Sequence, residues 1–214
     1  MAANGSRELI LQRIREGLKV AVPGPPPPTD TAPIFEPITN PLERFAAECK
    51  GNLIALSIAR DAAESRAQLK AELDSLPEGQ IHIQDAPVLR QMIDAIQLNR
   101  SVFWSSQGAP PESAQATISL AEAFVAQTGS IFVSAACGGR GESVVAPCHV
   151  VFGTVAQLVP DLTTALRNAA QQGTVRKNSY ACMISGSSRT ADIEKILVQG
   201  AHGPRRLAVI LQQS

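Results

Sequence analysis

Apolar positions recur along this chain with two different periods. Between Arg7 and Lys19, Ile10, Ile14 and Leu18 repeat at intervals of four, joined by Leu11, with charges elsewhere. That spacing predicts an amphipathic helix whose apolar face needs a partner: its own domain, a second copy of the chain in a homodimer, or another protein. The stretch from Val22 to Asp30 contains the run Pro25-Pro26-Pro27-Pro28, which cannot continue a helix and predicts an extended polyproline II spacer.

From Asn40 the pattern becomes an alternation. Pro41 to Cys49 predicts a helix capped by Asn40, with proline at the first position, where its missing N–H costs nothing. Leu53 to Ile58 reads as a strand, Asp61 to Leu73 as a helix, Ile81-His82-Ile83 as a strand, Ala86 to Leu98 as a helix and Ser101 to Trp104 as a strand. This βαβαβ order predicts a parallel sheet covered by helices.

In the second half, Ser119 to Gln127 predicts a helix, Ile131 to Val133 and Val150 to Phe152 strands, and Asp161 to Gln171 a helix. Ala181 to Ile184 predicts a strand that breaks at Ser185-Gly186-Ser187-Ser188 into a helix capped by Ser188 or Thr190, and Arg206 to Leu211 the terminal strand. The expected organisation is a helical arm over 1–20, a proline-rich linker over 21–33 and an α/β domain over 34–214, its sheet parallel or mixed and flanked by helices.

Composition narrows the class. Lys and Arg total 19 against 19 Asp and Glu, aromatics are 4%, and basic residues are scattered, which argues against a nucleic-acid partner. No run of about 18 apolar residues occurs, and charges break up the N-terminus, so neither membrane insertion nor a signal peptide is expected and the location should be cytoplasmic. Cys49, Cys137, Cys148 and Cys182 are widely spaced, so no zinc or iron–sulfur ligand set is read in this chain. Dinucleotide and phosphate-loop glycine motifs are missing too.

The chemistry that remains is anion binding. A helix start after Ile184 would present free N–H groups to a carboxylate or phosphate, and Arg189 would add a bidentate fork. Asp192 and Glu194 would occupy the same positive end, so a plainly capped helix satisfies the pattern equally. Thr128-Gly129 is either a small-residue turn that approaches a bound oxygen or a helix C-cap with positive φ at Gly129. Arg140 lies in the glycine-rich loop Ala135 to Glu142, which either closes over a small anion or turns a corner. His82 is expected to be an ordinary exposed or half-buried strand residue, and His149 a polar strand end. Cys148 and His149 are strand neighbours facing opposite ways, so they form no nucleophilic pair. Gly203-Pro204 predicts a turn that would hold His202 at the sheet rim. In α/β sheets pockets form beyond the carboxyl ends of strands, which makes the loops after Val133 and Ile184 the ligand-site candidates.

The run Ser185-Gly186-Ser187-Ser188-Arg189-Thr190-Ala191-Asp192-Ile193-Glu194, followed by Leu197, Gly200 and His202-Gly203-Pro204, resembles the closing signature of the lactate utilization protein C family, a LUD-domain group. Ser187 stands where that family usually has proline. Ala126-Gln127-Thr128-Gly129 is similar to its A-E-T-G turn, with Gln127 replacing a carboxylate that an acid–base role would need. The resemblance implies a fold similar to the sugar-phosphate isomerase and CoA-transferase layer. It also implies a part in oxidising L-lactate to pyruvate beside partner proteins that carry iron–sulfur clusters. On this reading the ligand-binding residues are Thr128, Gly129, Arg140, Ser187, Ser188, Arg189, Thr190, Asp192 and His202. An accessory or assembly subunit is the first expectation, with an independent enzyme of the isomerase or transferase kind, or a partner-binding module, as alternatives.

Overall fold

The computed structural model of the protein describes residues 3–19, 35–190, 198–199 and 203–213. It divides into two compact units, Met1–Glu36 and Pro37–Ser214. In the first, α1 (Ala3–Gly17) is the helix that the fourfold spacing predicts, and its Leu9, Ile10 and Ile14, with Leu18 just beyond, are exposed. The expected polyproline spacer lies outside the described residues.

In the second unit, Asn40 caps α2 (Pro41–Gly51) by accepting from Glu43 N. Then follow β1 (Ala55–Ala59), α3 (Ala62–Asp74), β2 (Gln80–Ile83), α4 (Pro87–Ala95) and β3 (Val102–Trp104). β4 (Ala114–Leu120), β5 (Ala123–Val125), β6 (Ser130–Ser134), β7 (Cys148–Thr154) and β8 (Leu158–Val159) precede α5 (Leu162–Gln172) and the short α6 (Thr174–Lys177). β9 (Ala181–Ile184), β10 (Arg189–Thr190), β11 (Val198–Gln199) and β12 (Arg206–Gln212) complete the order. One sheet runs β1-β12-β7-β4-β2-β3 with every pair parallel, as the βαβαβ pattern requires. A second sheet, β8-β5-β6-β9, is mixed: β6 runs antiparallel to both β5 and β9.

Period-two alternation gives the main sheet two different faces. Ile81, Ile83, Ala116, Ile118, Cys148, Val150, Ala208 and Ile210 pack with Leu69 and Leu73 of α3 and Leu89, Met92 and Ile93 of α4. On the other face Val151, Leu207, Val209 and Leu211 join Phe45 and Cys49 of α2 and Phe124, Ile131 and Val133 of the second sheet. The cover on that side is therefore a sheet as well as a helix.

Three local expectations are corrected. Ser119–Gln127 is not a helix: its residues end β4, form β5 and enter the turn to β6. Gly129, at φ +62, serves that hairpin turn and not a helix end. After Ile184 no helix begins behind Ser188, because Arg189 and Thr190 pair antiparallel with Gln199 and Val198, while a helix capped by Thr190 would fall on residues outside the described set. Residues 191–197 lie outside the described set. The first strand also starts late, with Leu53 at φ +55 turning the chain out of α2.

The caps carry local stability. Asp161 accepts from Thr164 N at 2.7 Å, satisfying one free amide of α5. Asp161→Ala is expected to lower the unfolding free energy by about 1 kcal/mol, measured as the urea midpoint at constant slope.

Candidate functional site

The face of the main sheet that meets the second sheet carries a polar row across an otherwise apolar layer. His82 on β2 sits opposite Thr117 on β4, Thr117 opposite His149 on β7, and His149 opposite Leu207 on β12. Ser119, two residues beyond Thr117, faces the same way, and its Oγ lies 2.9 Å from His149 Nε2. All four polar side chains are buried. Arg140–Ser143, a turn of 3₁₀ helix, roofs the row: Thr117 Oγ1 donates to the Glu142 carbonyl, and the Glu142 side chain points back to His82.

That carboxyl is only 1% exposed, and burial pushes it up to about 8. Its Oε1 lies 2.7 Å from His82 Nδ1, off the direction of an ideal hydrogen bond, and Oε2 has no hydrogen-bond partner among the described residues. His82 Nε2 is 3.0 Å from the Gly108 carbonyl, which can only accept, so Nε2 carries a proton. Burial lowers His82 more than that hydrogen bond raises it. His149 is pushed down to about 4 by burial alone, and its Nδ1 has no hydrogen-bond partner among the described residues.

A cleft of about 270 Å³ opens beside this row. One wall is the strand and turn Cys182–Gly186 with Ser188, the floor is His149 and Leu207, and Ser143, Gly203 and Pro204 close it. Ser188 N donates to Pro204 O at 2.8 Å, tying the two loops that form one end. At the other, Ser143 Oγ is 3.3 Å from Tyr180 OH, and the Arg140 guanidinium lies 5.1 Å from the centre of the Tyr180 ring.

The structure distributes the expected site residues unevenly. Ser188 lines the cleft, and Ser187 belongs to the same turn. Arg189 is exposed, outside the lining, and its Nη2 donates to the Asn52 carbonyl at 2.6 Å. Thr128 and Gly129 reach the cleft only indirectly, through hydroxyls: Thr128 Oγ1 to Ser130 Oγ and Ser130 Oγ to Ser185 Oγ are each 2.6 Å. Thr190 pairs in β10, while Asp192 and His202 lie outside the described residues. Because β6 and β9 are antiparallel, the loops after Val133 and Ile184 emerge at opposite ends of the pair. Gln127 is spent on structure: its Oε1 accepts from Leu162 N at the start of α5.

Sequence reasoning missed His82 and Glu142. His82, expected at or near the surface, is fully buried, with the Phe103 ring 5.5 Å away and the Gly108 carbonyl and the Glu142 carboxyl against its two nitrogens. The available signal was a histidine between two isoleucines in a chain whose parallel strands are covered on both faces.

Residues 109–212 match the family model of the LUD domain. Over this stretch, about half of the chain, the protein is similar to the LUD domain and to proteins named lactate utilization protein C. It is 31% identical over 102 residues to lactate utilization protein C of Deinococcus radiodurans, covering 47% of each chain. Over 103 residues it is 31% identical to lactate utilization protein C 1 of Bacillus mycoides, covering 47% of this chain and 44% of that one. The chain thus spans about half the length of the curated relatives it matches. Its fold is that of a DUF162-family crystal structure from Deinococcus radiodurans, with a TM-score of 0.61, 20% identity, and coverage of 80% of this chain and 96% of that one. No helix among the described residues is long and apolar enough to cross a membrane.

Proposed function

We propose that this chain is a non-redox, accessory component of a lactate-utilization system, and that its cleft holds a small carboxylic acid such as lactate or pyruvate. The observation that carries the reading is the cleft itself, whose size suits a molecule of a few heavy atoms and whose wall offers the Ser185 and Ser188 hydroxyls. Its relatives' name supplies the metabolite class. Electron transfer belongs to partner proteins with iron–sulfur clusters. Gln127, committed to α5, weighs against an isomerase or transferase that would need a carboxylate at that place.

The test is a thermal-shift panel of L-lactate, pyruvate, phosphosugars and CoA esters on the full chain, joined to copurification with cluster-bearing proteins. A small acid at ten times its Kd is expected to raise Tm by about 3 to 6 °C, whereas CoA esters leave it unchanged. Arg189→Ala is expected to keep lactate affinity within about twofold, since one hydrogen bond to Asn52 is lost and no lining group is touched. No shift with any small acid overturns the reading.

A further inference from the structure

The polar atoms left unpartnered in the interior fall into two groups. Among the described residues, Gln68 Oε1, His82 Nδ1 and the Glu142 oxygens belong to residues outside the cleft lining, while His149 Nδ1 belongs to a residue that lines the cleft. A buried ring nitrogen without a partner is costly and rare in folded proteins, and where it borders a cavity the simplest occupant is a ligand atom. His149 is 1% exposed, and Ser119 Oγ at 2.9 Å from Nε2 fixes the plane of its ring.

We propose that His149 Nδ1 is an oxygen-binding atom at the floor of the cleft, contacting an uncharged hydroxyl or carbonyl oxygen on the carbon next to the ligand's carboxylate, with Ser119 as its positioning residue. This rests on the small-acid reading above and narrows it to 2-hydroxy and 2-oxo acids. The physical ground is the absence of charge. Burial keeps the imidazole neutral near pH 7, so it adds a directed hydrogen bond and no attraction for an anion. Ser119 is not among the lining residues, and its hydroxyl can donate to Nε2 or accept from it, so Nδ1 is free to offer an N–H to a carbonyl oxygen or a lone pair to a hydroxyl.

The experiment uses the full chain labelled with ¹⁵N-histidine, titrated separately with L-lactate, propionate and 1,2-propanediol while the ring-nitrogen signals are followed by NMR. Propionate lacks the second oxygen, and propanediol lacks the carboxylate. Lactate and propanediol are expected to move the His149 Nδ1 signal and propionate to leave it still. Lactate is expected to bind about tenfold tighter than propionate, the equivalent of one hydrogen bond. His149→Phe should reduce that ratio to about one, and Ser119→Ala, which keeps the imidazole but frees it to rotate, should reduce it about threefold. The second variant keeps the test open where the first fails to fold. Equal binding of lactate and propionate, or an unmoved Nδ1 signal on lactate binding, overturns the oxygen subsite and leaves the carboxylate cleft standing. A response to propanediol with none to either acid overturns the carboxylate reading and leaves the subsite. Silence with all three probes overturns both.

Discussion

Between pH 6.5 and 8.5 the protein is expected to lose about 2 kcal/mol of stability, and Glu142→Gln is expected to remove most of that loss. His82 Nε2 must carry a proton to reach the Gly108 carbonyl, so its Nδ1 is a bare acceptor whenever the ring is neutral. A carboxylate oxygen 2.7 Å from that atom would set two lone pairs against each other. One shared proton resolves this, and burial of both groups favours the neutral form, with the proton on Glu142. Burial holds Glu142 at about 8 in the folded protein, against 4.5 for an ordinary glutamate. Above pH 4.5 the unfolded chain has already released that proton, while the folded chain keeps it until about pH 8. The contribution is fully present below 4.5 and lost as pH rises through 8.

The other perturbed groups act elsewhere on the scale. His149, down to about 4 from 6.5, favours the fold above pH 6.5 and withdraws that support as pH falls through 4, and His82 works in the same direction. Cys49, Cys137 and Cys148, pushed up from 9.0 to between about 11 and 12, cost stability mainly above pH 9. Urea unfolding of wild type and Glu142→Gln at pH 6.5, 7.5 and 8.5 isolates the carboxyl. Parallel profiles would sink the neutral pair. A variant weaker at every pH beside a flat wild type would point instead to an ion pair.

Where structure is set by neighbours in sequence, the chain was readable. Asn40, Asp61 and Asp161 each bond the third amide ahead of them, and the helices begin where those residues predict. The alternation from Ala55 to Trp104 gave the parallel arrangement because two-period and 3.6-period stretches of adequate length are distinct. Ser119–Gln127 went wrong because Leu120-Ala121-Glu122-Ala123 has helical propensity, while pairing with Phe132 and Ile131, a nonlocal fact, decides for strand. The cap at Ser188 failed similarly: its hydroxyl suits a helix start, but Arg189 and Thr190 find partners at Gln199 and Val198. The cleft was half legible. Its serine wall follows from the strand-end rule, whereas His149 and Glu142 became visible only once β4 and β7 lay side by side and the Arg140–Ser143 turn closed over them. Burial of a polar residue is a property of the assembled layers and leaves no periodic trace.

Gly129→Ala is expected to cost about 3 kcal/mol and Gly129→Val about 4, whereas Gly173→Ala should cost about 1. Both glycines are left-handed, at φ +62 and +73, so every replacement carries backbone strain. They differ in what a Cβ would meet. At Gly173 it comes within 3.3 Å of the Lys177 side chain, which can swing away. At Gly129 it would stand 2.8 Å from Glu48 Cβ, 2.9 Å from the Glu48 carbonyl carbon and 3.0 Å from Cys49 N, so α2 itself must move. That helix is anchored by Phe45 and Cys49, both fully buried, with Phe45 edge-on to Phe124 at 5.7 Å. The turn is tied to the same helix end by Asn52 Nδ2, which donates to the Thr128 carbonyl at 2.8 Å, while the Asn52 carbonyl accepts from Arg189. Displacing α2 therefore loosens the β5–β6 turn and the Ser185–Arg189 segment together, and with them the Ser130–Ser185 hydroxyl pair at the edge of the cleft. Urea midpoints of the three variants decide the matter. If alanine at 129 costs no more than alanine at 173, backbone strain alone accounts for it, and close docking of the turn on α2 is not what stabilises this end of the cleft.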